Sequence, residues 1–89
     1  MTAVTVTAEH IAGGIPGDAC GCAVALAVID AFPDAEDVSV GDLFVAMYIG
    51  SRSELLPIPE NVRALIAVID RDGTVEPFTF ELDYPAVTS

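Results

Sequence analysis

The stretch Cys22–Phe32, CAVALAVIDAF, decides how this chain folds. Read as a helix, it carries one charged residue, Asp30, and no polar face. A helix that is apolar all round belongs in an interior. The rest of the chain leans the other way. Its 89 residues hold 14 Asp and Glu against three Arg (Arg52, Arg63, Arg71) and no Lys, for a formal net charge of −11. A domain of this size has one modest core, burying roughly 60% of its unfolded surface. A hydrophobic fraction of 53% is more than such an interior needs, so some apolar surface is expected outside it or in an interface.

Helical spacing divides the stretch into two stripes. Cys22, Ala25, Leu26 and Ile29 are assigned to the core, which leaves Val24, Ala27, Val28 and Ala31 over. Burying a side chain such as Val is worth about 1.5–3 kcal/mol, so a wet second stripe would forgo that and invite association. Two readings are open. The small side chains tuck beneath residues 8–17, where HIAGGIP must pack against something, or they meet another chain. A second segment bears on the choice. In DVSV-GD-LFVAMYIG, Gly41 and Asp42 supply a hairpin loop, and the arm Leu43–Ile49 is apolar on both faces. Such a strand is central and covered on each side, or lends one face to a partner. Together the two segments point to a homodimer or a docked protein, with Val24, Ala27, Val28, Ala31, Val45 and Met47 as candidate interface residues.

The remaining elements follow from local signals. AVTVT alternates as a half-buried strand, and Thr7 can cap a short helical turn through AEHIA. IPGD is a turn, with Asp18 the expected N-cap of the apolar helix, and Phe32-Pro33 closes that helix because a residue before proline is steered out of the α region. SRSELLPI reads as a connection and Pro59 as the first residue of a second helix. Val62, Leu65, Ile66 and Ile69 give that helix an apolar stripe, and Gly73 is expected as its left-handed cap. PFTFELDY alternates Phe78, Phe80 and Leu82 with Thr79, Glu81 and Asp83. The expected fold is therefore a single α+β domain over residues 1–84 with a tail at 85–89. Its order is βαββαβ, a two-layer sandwich of ferredoxin-like or related type, with a four-stranded, mainly antiparallel sheet and two helices on one face.

Few residues carry chemistry. His10, Cys20 and Cys22 are weak metal candidates. Two cysteines inside one helix would point roughly 200° apart, so a chelate needs the helix to begin after Cys22. Asp70, Asp72 and Glu76 around Gly73 resemble half of a calcium loop but lack its other ligands. No metal or other cofactor is expected. Asp34, Glu36, Asp37 and Asp42 form one acidic group. Glu81 and Asp83 form another, about 6.8 Å apart on a strand face. That spacing is near the phosphate repeat of a nucleic-acid strand, so a DNA mimic that sequesters a DNA-binding protein is allowed. A solvated face that keeps an apolar domain in solution explains the same residues. The charge disfavours direct contact with nucleic acid or anionic lipid. There is no phosphate loop, nucleophile elbow or dinucleotide fingerprint, and an enzyme is not expected. MTAVTVTAEH has no secretion-signal pattern, and the longest apolar run, Ala19 to Ile29, is too short for a bilayer of about 30 Å, so a cytoplasmic protein is expected.

HIAGGIPGDACGCAVALAVIDAFPDA, then VSVG, then LPIPENVRALIAVIDRDGTVEPFTFEL, resembles a group of small proteins from actinobacteriophages and their hosts. The CAVALA helix and the VEPFTFEL ending carry the likeness, which covers about residues 7–82. This chain has Ala23 where the group leads one to expect proline after the cysteine. The resemblance implies a setting, a phage or prophage accessory protein in the host cytoplasm, and transfers no functional residues. The surplus apolar face and the charge of −11 lead to the expected function: a non-enzymatic protein, acting as a homodimer, that binds a host protein bearing a basic patch.

Overall fold

A computed structural model describes residues 2–15, 17–71 and 73–84; the expected tail at 85–89 and Asp72 of the half calcium loop lie outside them. The elements run β1 (Thr2–Val6), α1 (Ala8–Gly13), α2 (Ala23–Ala31), β2 (Ala35–Val40), β3 (Phe44–Ile49), β4 (Arg52–Pro57), α3 (Glu60–Asp70) and β5 (Phe78–Leu82). The class is α+β, but the single four-stranded sheet is replaced by two antiparallel sheets, β1-β5 and β2-β3-β4. Three successive strands joined by tight turns pair locally and need no crossover. The two ends of the chain then pair with each other.

The strand missed by the sequence reading is β4, taken above as a connection. Its pattern is mostly polar, with Leu56 alone buried, as befits an edge strand. Pro57 sits at its end, where a missing N–H is tolerated. Gly50 and Ser51, at φ 57° and 70°, make the two-residue turn between β3 and β4. Two left-handed residues are what a type I′ hairpin requires. On the other side, β2 pairs with β3 through an irregularity between Glu36 and Ser39. Asp37, at φ 53°, absorbs the extra residue there, as short polar side chains can.

The β1-β5 pair follows its alternation. Val4 and Val6 face inward opposite Phe80 and Phe78, while Thr5 and Thr79 meet outside with their hydroxyls 3.2 Å apart. In α3, Val62, Ile66 and Ile69 are buried as the spacing predicts. Its end differs from expectation: Gly73 has no positive φ. It donates its N–H to the Val68 carbonyl at 2.8 Å, and a Cβ there would lie 2.6 Å from Val68 Cγ1. Closeness, not handedness, demands glycine.

Helix α2 is the interior element, lying against β1, α1 and β2. Val24 and Val28 are wholly buried, and Ala23, Ala25 and Ala27 nearly so. At 100° per residue these positions cover an arc of about 200°. Leu26, Ile29 and Asp30 occupy the remainder, with Ile29 42% exposed. Of the stripe expected in the core, Cys22 and Ala25 are buried as expected, whereas Leu26 is half-buried and Ile29 exposed. Val24, Ala27 and Val28 face the protein's own core, Ala31 is half-buried against it, and the outer stripe is Leu26–Ile29–Asp30. Small side chains let α1 and its following loop approach closely. A Cβ on Gly14 would come within 2.4 Å of the Ala23 nitrogen. The reading in which the Ala-rich flank tucks beneath the early segment is the one the fold adopts.

This burial fixes the outcome of Val28→Asp. An unpaired carboxylate in the core costs several kcal/mol of the about 5–15 kcal/mol that a domain holds, so the variant should lose its cooperative denaturant transition. A variant that unfolds cooperatively at an unchanged midpoint would contradict the burial.

Candidate functional site

Three places carry polar or exposed features that a function could use. The first joins α1 to α2. Thr7 precedes α1 and accepts the His10 backbone N–H on its hydroxyl at 3.2 Å, while the Thr7 N–H donates to His10 Nδ1 at 3.0 Å. This reciprocal pair satisfies two otherwise orphaned donors of the first helical turn. With Nδ1 an acceptor, Nε2 carries the proton and donates to Asp30 Oδ2 at 2.5 Å. The Thr7 hydroxyl lies 3.1 Å from Nδ1, so threonine, histidine and aspartate stand in a row. The row outwardly resembles a nucleophile, base and orienting acid. Its lone pairs are already engaged, however: the backbone occupies Nδ1, and the hydroxyl accepts a helix N–H. The arrangement is a cap extended into a latch between two helices.

The second place is the start of α2. The helix begins after Cys22, the geometry a Cys20–Cys22 chelate would need, yet the two side chains diverge. Cys22 is buried and is itself the N-cap, its Sγ accepting the Ala25 N–H at 3.4 Å. Cys20 is exposed. Asp18, the expected cap, instead accepts the Cys20 N–H at 3.0 Å within the preceding turn. His10 is bound to Asp30, so the three metal candidates do not converge. Among the described residues no group of three or more His, Cys, Asp or Glu is placed to hold a metal ion. Burial pushes the Cys22 thiol above its ordinary range, with the Asp70 carboxylate adding to the rise and the Ala25 and Val24 N–H groups opposing it. Beside it lies a cavity of about 300 Å³, with Val40 and Ile66 in its wall and Asp18, Asp42 and Asp70 around it.

The third place is the outer face of β2-β3-β4. Cross-strand partners share a face, so the register defines three rows. Glu36, Tyr48 and Ser53 form one, Ser39, Ala46 and Leu55 the next, and Phe44 with Pro57 the last. Leu55 is 63% exposed, Tyr48 46% and Phe44 45%, and Leu43 beside them is 52% exposed. Strand and residue spacings make the face roughly 10 by 14 Å. No element of the described chain covers these four residues. The opposite face of the same sheet carries Val45 and Met47, both buried. β3 is the central strand of its sheet, and the residues expected at an interface face inward: Val45 and Met47 are core, and Phe44, Ala46 and Tyr48 look out. Val38-Ser39-Val40 held the clue. Its valines mark the inner parity, Val40 lies opposite Val45, and polar Ser39 lies opposite Ala46.

The six acidic candidates, Asp34, Glu36, Asp37, Asp42, Glu81 and Asp83, are all exposed but do not form one strip. Asp34 and Asp42 flank β2, whose length separates them by about 20 Å. Glu81 belongs to the other sheet.

No helix among the described residues is long and apolar enough to cross a membrane. No protein-family model matches the chain, and no curated protein or solved structure matches it either.

Two outcomes follow from the caps. A thiol that ionises later in the fold than in the unfolded chain contributes stability that is complete below the unfolded value, about 8.5. That contribution is lost as pH rises toward and through the folded value. Denaturant titrations should therefore show stability declining above about pH 8.5, with Cys22→Ser removing that component; an identical alkaline decline in the variant would contradict it. Thr7→Ala should cost about 1 kcal/mol and speed amide exchange in α1 while leaving β2-β3-β4 unchanged. Unaltered exchange in α1 would show that the cap carries nothing.

Proposed function

We propose that this protein is a small, non-enzymatic binding module that works by protein–protein contact through the outer face of β2-β3-β4. The observation that carries the reading is the cluster Phe44, Tyr48 and Leu55, with Leu43 beside it, left open on a sheet whose other side places Val38, Val40, Val45, Met47 and Leu56 in the core. Single exposed apolar residues are ordinary on protein surfaces, whereas a contiguous patch marks an interaction site. Its two aromatic rings, Phe44 and Tyr48 at either end of the central strand, fit the composition of binding hot spots. The stripe on α2 that argued for a homodimer lies inside the monomer, so its argument passes to this face and to a different protein as partner. Resemblance to actinobacteriophage proteins supplies the setting, an accessory protein engaging a host protein. Polyanion mimicry gains no support from acids divided between two sheets.

Affinity capture from actinobacterial lysate, with wild type and a Tyr48→Ser, Leu55→Ser double variant as paired baits, tests the reading. Both substitutions remove exposed apolar surface and should leave the circular dichroism spectrum unchanged. The wild type should retain at least one protein that the variant does not. Identical profiles from two folded baits would overturn the assignment of this face.

A further inference from the structure

We infer that the outer face of β2-β3-β4 receives a basic amphipathic helix of the partner protein. This inference rests on the binding reading above and goes further by naming the chemistry of the occupant. Shape provides the first argument. A sheet with one face packed and the other bare and apolar is completed by a helix laid across it, and a helix with its side chains is about 10–12 Å in diameter. The face as a whole, polar corners included, is roughly 10 Å wide and 14 Å long, which matches the diameter of a helix over two to three turns.

Charge selects the helix. The chain carries −11 with no Lys, and the acids nearest the patch stand at its margins rather than within it. Glu36 occupies a corner of the face, Asp37 lies in the adjoining bulge, and Asp42 lies in the turn that leads through Leu43 to Phe44. Leucine-type side chains along the centre of the incoming helix would meet Phe44, Tyr48 and Leu55. Lys or Arg flanking that stripe would then fall toward the acidic margins. A second copy of this chain offers the reverse. It would bring another −11 to the same contact and supply no cation except three arginines, of which only Arg52 lies in this sheet. Opposite net charges also speed encounter, whereas like charges oppose it.

The sign of the salt dependence separates the two occupants, because screening weakens attraction to a basic helix and relieves repulsion between copies. The probe is a synthetic peptide with Leu and Lys at helical spacing, titrated calorimetrically into the full chain. A peptide of the same composition scrambled to destroy the stripe, and a Leu/Glu counterpart, serve as controls. Wild type should bind the Leu/Lys helix, more weakly as salt rises, and the Tyr48→Ser, Leu55→Ser variant at least tenfold more weakly, with neither control peptide binding comparably. Equal binding by the variant or by the scrambled peptide would overturn the inference, since charge alone would then suffice. So would a wild-type dimer in sedimentation that strengthens with salt and excludes the peptide. If the paired lysate capture succeeds while the Leu/Lys helix fails to bind, the binding reading stands and this identification of the occupant falls; if both fail, both fall.

Discussion

Burial of one helix constrains the rest of this structure. With Val24 and Val28 wholly enclosed and three alanines beside them, α2 presents an apolar arc of about 200° that must be covered. β1, α1 and β2 lie around it. The small side chains let those neighbours come close, and Gly14 is required where the loop after α1 meets the Ala23 backbone. The latch from Thr7 through His10 to Asp30 then pins α1 at the border between the buried arc and the exposed stripe. Packing contributes most of the stabilisation; the latch sets the position of an element with no buried residue of its own.

That solution has a consequence on the far side of the molecule. Residues that the sheet turns into the core, such as Val38, Val40, Val45 and Met47, fix the inner parity of β2 and β3. Because alternate residues point to opposite faces, Phe44, Ala46 and Tyr48 are thereby turned outward. Covering the helix and exposing the patch are one choice of register. The surplus of apolar residues noted in the composition gathers on the sheet at Phe44, Tyr48 and Leu55, while α2 exposes Ile29 and the loop before it Ile15. On the binding reading proposed above, the net charge of −11 opposes contact between copies and favours a basic occupant of the patch.

Local signals were legible where chemistry at a single position decides the structure. Thr7 as a cap, Phe32-Pro33 as a stop, the Val62–Ile69 stripe and the alternation of Phe78, Phe80 and Leu82 all read correctly. Where the pattern is uniform, reading failed for a physical reason. An all-apolar helix has almost no preferred direction, so nothing in CAVALAVIDAF says which side is inside until its neighbours are known. SRSELLP hides β4 because an edge strand buries little. The division into two sheets depends on pairing Thr2–Val6 with Phe78–Leu82 across nearly the whole chain, which no local window contains. The candidate surface was half legible: a strand apolar on both faces was recognised, and its outward parity was recoverable from Val38-Ser39-Val40.

Native-state hydrogen exchange on the dilute chain, repeated over a wide range of protein concentration, tests the central claim most directly. If α2 is the interior of a single chain, the amides of Leu26–Val28 should exchange only through global unfolding, at rates independent of concentration. Faster exchange there than in β1 and β5, with protection that grows as the protein is concentrated, would mean that another molecule supplies the cover.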